Sequence, residues 1–192
     1  MCEFAKNYFD NFLTLTKSLR VTDKEGAKLS SYYGIEMAAK LIVSLVDSDH
    51  KLMLIGNGAS AAISSHISTD FWSNIGIRAV AFNDSSLLTC ISNDYGYKHV
   101  FEKPIEMFAD KGDILIAISS SGKSENILLG VNSARLKECK VITLSGFDKN
   151  NPLSILGDYN FYVPSNTYGQ VEIIHHSICH CILATIMQQL DK

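Results

Sequence analysis

The chain has 192 residues, of which 46% are hydrophobic and only 19% charged, and its formal net charge is -3. That length suits one ordinary domain and can bury a full core without disulfide staples. The composition excludes a disordered polyelectrolyte, and the charge speaks against a broad electrostatic grip on nucleic acid. Taken alone, the charge speaks against an anionic ligand as well. The surplus of apolar residues implies surface covered by something else, most simply another subunit.

In chain order, apolar positions from Glu3 to Arg20 recur at helical spacing, among them Phe4, Tyr8, Phe9, Phe12 and Leu13. A second helix is expected to start at Thr22 or Asp23 and to run through Ile35, Ala38, Leu41, Ile42 and Leu45. The pattern then changes to short, β-prone apolar runs at 51–55, 77–82, 113–118, 140–144 and 159–163. Segments of helical period separate these runs at 59–72, 97–108 and 124–137, and a last helix is expected over about 170–189. Near-continuous apolar strands alternating with helices predict a doubly wound, five-stranded parallel sheet flanked by helices, preceded by an N-terminal helical pair. One unit over 1–192 is expected, with helices over 1–47 and an α/β body over 50–192. Cys2, Cys90, Cys139, Cys179 and Cys181 are odd in number and contain no C-x-x-C pair. They read as reduced thiols of a cytoplasmic protein. The opening MCEFAKNYFD has no basic segment followed by an apolar stretch, so no signal peptide is expected, and no apolar run is long enough to span a membrane.

In such a sheet, ligands bind where strands end and helices begin. Two of these turns carry unusual chemistry. Gly56-Asn57-Gly58-Ala59-Ser60 follows the first apolar strand; its glycines permit a tight turn, and the next helix aims free N–H groups at the same point. It lacks the third glycine of a dinucleotide fingerprint and the ending of a P-loop. The second turn, Ser119-Ser120-Ser121-Gly122-Lys123-Ser124, places four hydroxyls in six residues ahead of a helix. Hydroxyls, amides and helix dipole together can hold a phosphate without any basic patch, so the low charge is compatible with an anionic ligand after all. An N-cap would account for one serine but not four.

His66 and Asp70 stand four apart and share a helical face, where they can converge on one centre or form an ordinary surface pair. Imidazole with carboxylate suits zinc or another divalent ion. The C-terminal helix carries Glu172, His175, His176 and His180. Glu172 and His180 are eight apart, about 12 Å of rise, so one ion cannot easily take both from a straight helix. Either the helix begins later than expected or two subunits combine. Among these residues His180 ranks first as a functional group, then Glu172, then His176, with at least one histidine expected to pack rather than react.

These motifs, with Asn83-Asp84-Ser85-Ser86, Asn93-Asp94-Tyr95-Gly96 and Lys111-Gly112-Asp113, resemble the SIS (sugar isomerase) domain, and within it the phosphoheptose isomerase family. The resemblance covers roughly 50–190. It implies an aldose–ketose isomerase that converts sedoheptulose 7-phosphate to D-glycero-D-manno-heptose 7-phosphate for surface polysaccharide. It implies substrate contacts from Asn57, Gly58, Ser60, Asp94, Ser119, Ser120, Ser121 and Ser124. It implies catalytic roles for Asp70, Glu172 and His180, and a zinc ion held by His66, Asp70, Glu172 and His180. It also implies a homotetramer with sites near subunit interfaces, and neither nucleic acid nor membrane as partner. Asp70 stands where the family has glutamate, Glu172 where it has glutamine, and Asn74 where it usually has arginine, so the ligand set would carry two negative charges. A related phosphosugar is therefore an alternative substrate. A non-catalytic SIS protein, either a phosphosugar sensor or a scaffold akin to the replication-initiation regulator of this family, is the other alternative. That regulator branch lacks the equivalent of His180.

Overall fold

A computed structural model describes residues 2–45 and 48–190, so the boundary drawn at residue 47 lies outside the described residues, as does the side chain of Cys2. Helix α1 (Cys2–Lys17) is followed by two short strands, β1 (Arg20–Asp23) and β2 (Lys28–Leu29), and by α2 (Ser31–Val43). The alternating body then runs β3 (Leu52–Gly56), α3 (Ala59–Ile75), β4 (Ala79–Ala81), α4 (Ser85–Asp94) and α5 (Glu102–Phe108). It continues with β5 (Ile114–Ser119), α6 (Glu125–Leu136), β6 (Lys140–Ser145), β7 (Tyr159–Tyr162) and α7 (Tyr168–Leu190). The sheet order is β2-β1-β7-β6-β5-β3-β4.

All five expected parallel strands are present, but the sheet has seven strands rather than five. The additional pair is an antiparallel hairpin, with Val21 opposite Leu29 on one side and Phe161 on the other. It occupies the stretch expected to open the second helix. Asp23 does not cap that helix; its carboxylate accepts from the N–H of Ala27 and closes the hairpin turn. Helix α2 starts eight residues later, where the Ser30 hydroxyl accepts from the Tyr33 N–H. Gly34 lets the helix lie directly on the hairpin, since a Cβ there would meet Val21 Cγ1 at 2.6 Å. The segment expected as one helix over 97–108 divides into a 3₁₀ turn at Tyr97–His99 and α5. Helix α4, capped by Asp84, was not anticipated.

The central strands read as continuous apolar runs because both faces are covered. Leu52, Leu54, Ile116 and Ile118 pack toward α2, α3 and α7, whereas Met53, Ile55, Leu115 and Ala117 pack toward α5 and α6. Helix α1 lies largely outside this arrangement. Leu15 is its buried apolar anchor and Asn11 donates to Gln170 of α7, while Phe4, Phe9 and Leu13 remain exposed. None of the helices among the described residues is long and apolar enough to cross a membrane.

At the base of the sheet, Arg135 and the Val141 N–H both bond Asp158. Burial works against the Asp158 charge, but these donors and Lys140 outweigh it and hold the carboxyl below its ordinary value. A lowered folded pKa contributes stability that is present above the unfolded value of 3.8 and is lost as pH falls through the folded one. Asp158→Asn is therefore expected to lower the urea midpoint at pH 7, with the gap to the unmodified chain narrowing below about pH 3.8.

Candidate active site

Strand β4 lies on one side of β3 and β5 on the other, so the winding direction of the sheet reverses between β3 and β5. The two strands are parallel neighbours, with Gly56 opposite Ile118, so the turns that follow them open at the same end of the sheet. This is the position where doubly wound sheets bind ligands. The N-cap of α3 is Gly58 and that of α6 is Ser124, and neither helix receives a side-chain cap. Both helices therefore present N–H groups at one place.

Asn57, Ser60, Ser119, Ser120, Ser121 and Ser124 line a cavity of about 160 Å³ at this point, together with Tyr168 and Glu172 of α7. The loop is held by its own groups. Gly122 N–H donates to the Ser119 hydroxyl, Lys123 N–H donates to the Ser121 hydroxyl, and the Ser119 and Ser124 oxygens are 3.3 Å apart. Gly122 has φ +62° and sits against buried Asn151, whose amide donates to the carbonyls of Gly146 and Asp148. Asn57 exchanges amide hydrogen bonds with Asn126 at 2.9 Å each way and accepts from the Tyr97 hydroxyl. Lys123, the cation in the loop, is exposed and pairs with Asp148. The donors facing the cavity are therefore neutral.

A second cavity of about 520 Å³ lies between α3 and α7, lined by Ala59, Ile63, His66, Glu172, His176 and His180 among others. Glu172 is thus a wall common to both cavities. His66 Nε2 is 3.3 Å from Asp70 Oδ2, and His180 Nδ1 is 3.9 Å from the same oxygen. The His176 ring lies 4.6 Å from that of His180 and 5.4 Å from that of His66. One nitrogen from each of these three histidines falls within 4.8 Å of the others. Burial holds His176 below its ordinary pKa, helped by the neighbouring His180 and His66 imidazoles and opposed by Asp70.

Ser60, Ser119, Ser120, Ser121, Ser124, Asn57 and Glu172 thus converge at the smaller cavity, and His66 and His180 line the larger one with Asp70 beside their rings. Asp94 is not brought to either cavity; it is exposed at the end of α4, bonded by Asn93 and facing the Cys90 thiol. Glu172 stands outside the three-histidine cluster. His175 belongs to the core, fully buried with Nε2 donating to the Ser145 carbonyl, and burial pushes it down to about 4. Cys179 is buried and Cys181 exposed, and both remain free thiols. Three participants escaped the sequence reading: Asn126 and Tyr97, which fix Asn57, and Tyr168, which stacks edge-on to Phe147 at 4.7 Å.

Residues 7–146 match the SIS domain. A phosphoheptose isomerase of Aliarcobacter butzleri is 38% identical over 158 residues, covering 77% of this chain and 83% of the relative. A solved phosphoheptose isomerase from Neisseria gonorrhoeae superposes with a TM-score of 0.82 at 29% identity, over 96% of this chain and 98% of the other. One from Francisella tularensis gives 0.83 at 28% identity, over 97% and 98%.

Proposed function

The chain belongs to the SIS-domain family and is an isomerase of the phosphoheptose type, and on that premise we propose that it converts sedoheptulose 7-phosphate to D-glycero-D-manno-heptose 7-phosphate. The observation that carries this reading is the placement of Glu172 between a hydroxyl-lined cavity and an imidazole–carboxylate cluster. Ser60, Ser119, Ser121 and Ser124, with the amides that open α3 and α6, hold the phosphate. Asn57, fixed by Asn126 and Tyr97, keeps its second amide N–H for the sugar chain.

Moving the carbonyl between the first two carbons needs a base to take a weakly acidic proton and return it to the neighbouring carbon. It also needs polarisation of the oxygens as the enediolate develops. The carboxylates Asp70 and Glu172 supply the candidates for the base. Asp70, whose Oδ2 lies 3.3 Å from the His66 ring nitrogen and 3.9 Å from that of His180, orients both rings. The residues also fit a divalent ion such as zinc, because His176 Nε2 is covered and has no hydrogen-bond partner among the described residues. His66, His176 and His180, with Asp70 beside them, would hold that ion, which when bound would supply Lewis-acid polarisation of the substrate oxygens. The exposed Phe4, Phe9 and Leu13 of α1 support a homo-oligomer, a tetramer, in which copies of the chain cover one another. The free thiols support a cytoplasmic location.

In deuterated buffer with zinc, the protein is expected to incorporate solvent deuterium at the first two carbons of sedoheptulose 7-phosphate while forming the aldose, read by NMR. Binding of the sugar phosphate without exchange would instead establish a non-catalytic sensor.

A further inference from the structure

Two non-glycine residues among those described have a positive φ, Glu138 and Phe147. Glu138 follows the C-terminus of α6, an ordinary place for the left-handed conformation. Phe147, with φ +59°, has no such reason, and a bulky side chain rarely adopts that conformation. Its surroundings impose it. The preceding Gly146 is wedged where β6 ends, since a Cβ there would meet Val171 Cγ1 of α7 at 2.8 Å and the Ser120 carbonyl at 3.2 Å. The Phe147 N–H donates to the Ser165 carbonyl at 2.9 Å, and its own carbonyl accepts from the Tyr162 hydroxyl at 2.8 Å. Backbone strain held in this way clusters at ligand sites.

The ring so placed meets that of Tyr168, the first residue of α7, edge-on with 4.7 Å between ring centres. Tyr168 and Glu172 form the α7 side of the serine cavity, and Tyr168 is still 60% exposed. Four residues apart, they share a helical face and are separated by about 6 Å of rise. Glu172 stands where the serine cavity meets the larger one. A sugar chain whose phosphate is held by the serines therefore runs beside Tyr168 before it reaches Glu172 and the imidazoles. The hydroxyls and helix amides recognise the phosphate and nothing beyond it, so they hold inorganic phosphate equally well. Discrimination must come from groups that touch the chain. An aromatic face suits its C–H bonds.

Resting on the isomerase reading, we propose that Tyr168 is a specificity-determining residue, whose ring packs against the sugar carbons next to the phosphate and so favours a phosphorylated sugar over free phosphate. Phe147 is a positioning residue: it touches no substrate, and its left-handed backbone is kept because that conformation braces the Tyr168 ring at the cavity.

The test measures affinity for sedoheptulose 7-phosphate and for inorganic phosphate by titration calorimetry, with steady-state kinetics alongside. Tyr168→Ala is expected to weaken sedoheptulose 7-phosphate by about 30-fold and to leave inorganic phosphate within about twofold. The loss should appear in KM with kcat nearly unchanged. Tyr168→Phe keeps the ring and is expected to stay within about threefold of the unmodified protein. Phe147→Ala and Phe147→Gly both remove the brace and are expected to share a smaller loss of sugar affinity, about fivefold. Of these two, the glycine variant is expected to have the higher urea midpoint, because it alone takes φ +59° without strain.

The assignment is overturned if Tyr168→Ala weakens both ligands alike, which would make the ring only a wall of the serine loop. It is overturned equally if Tyr168→Ala changes neither, which would leave the ring to a contact between copies of the chain. A Tyr168→Phe variant as weak as Tyr168→Ala would transfer the role from the ring to the hydroxyl, and undiminished sugar affinity in both Phe147 variants would remove the brace. The isomerase reading fails separately: an unmodified protein that binds sedoheptulose 7-phosphate without interconverting it refutes that reading, while the role of Tyr168 stands on the two affinities.

Discussion

Gly122→Ala is expected to lower kcat/KM for the sugar phosphate by about 100-fold, mainly through KM, because the serine loop can no longer close. A Cβ at this position would stand 1.9 Å from Asn151 Oδ1 and 2.3 Å from its Cγ. Asn151 cannot retreat cheaply. It is 1% exposed, donates into the carbonyls of Gly146 and Asp148, and accepts from the Ser154 N–H. The loop must move instead, and with it the Ser119, Ser121 and Ser124 hydroxyls that sit on either side of Gly122. The φ of +62° adds strain that any residue with a side chain would feel. Gly76→Ala supplies the control. Its φ is +71° but nothing lies within 4 Å of the added carbon, so it bears the backbone strain alone, at the far end of α3. Steady-state kinetics of the two variants should separate loop displacement from general destabilisation; equal kinetics in both would refute the clash as the cause.

Asp113→Ala is expected to destabilise the protein by about 2–3 kcal/mol, the cost of leaving two buried backbone donors without their acceptor. Asp113 is fully buried and accepts from the N–H groups of Lys51 and Asp110 at 2.8 Å each, while Lys51 Nζ lies 2.6 Å from its Oδ2. These bonds tie the segment entering β3 to the start of β5, the two strands whose far ends carry the ligand turns. Removing the carboxylate strands two backbone donors, while the Lys51 ammonium keeps its second partner, Asp110 Oδ2 at 2.7 Å. Asp113→Asn keeps the shape and one acceptor, so roughly half the loss is expected. Urea unfolding followed by circular dichroism checks both; a loss below about 1 kcal/mol for the alanine variant would mean that water or a neighbour replaces the carboxylate.

What could be read from the sequence follows from the range of the interactions involved. The runs at 51–55, 113–118 and 140–144 declared themselves because strands covered on both faces are apolar at nearly every inner position. The hairpin did not. Arg20–Asp23 is polar and short, and its strand character comes from pairing with Tyr159–Tyr162, a partner that local pattern cannot reveal. The glycine and serine turns were legible because their chemistry is dense within a few residues. His66 with Asp70 was legible for the same reason, as neighbours on one helix. His176 ranked behind Glu172 because the choice depends on how α7 rotates against α3, which a single chain of letters does not encode. The ring contacts of His66 with His176 and His180 are the structural expression of that rotation. Asn126 and Tyr97 were missed because they act through Asn57, at separations of 69 and 40 residues.

The pairing of β1 with β7 also governs the order in which the molecule can be completed during synthesis. The parallel core, from β3 to β6, lies in one continuous stretch of chain and can assemble as it emerges from the ribosome. The first strand cannot join the sheet until Tyr162 has been made, and Asn11 waits longer still for Gln170. Helix α7, which carries Glu172, His176 and His180, is the last element to appear. The glycine and serine turns are therefore made before the histidine cluster, and the β1–β2 hairpin, though able to pair within itself, finds its place on β7 only after most of the sheet has been translated.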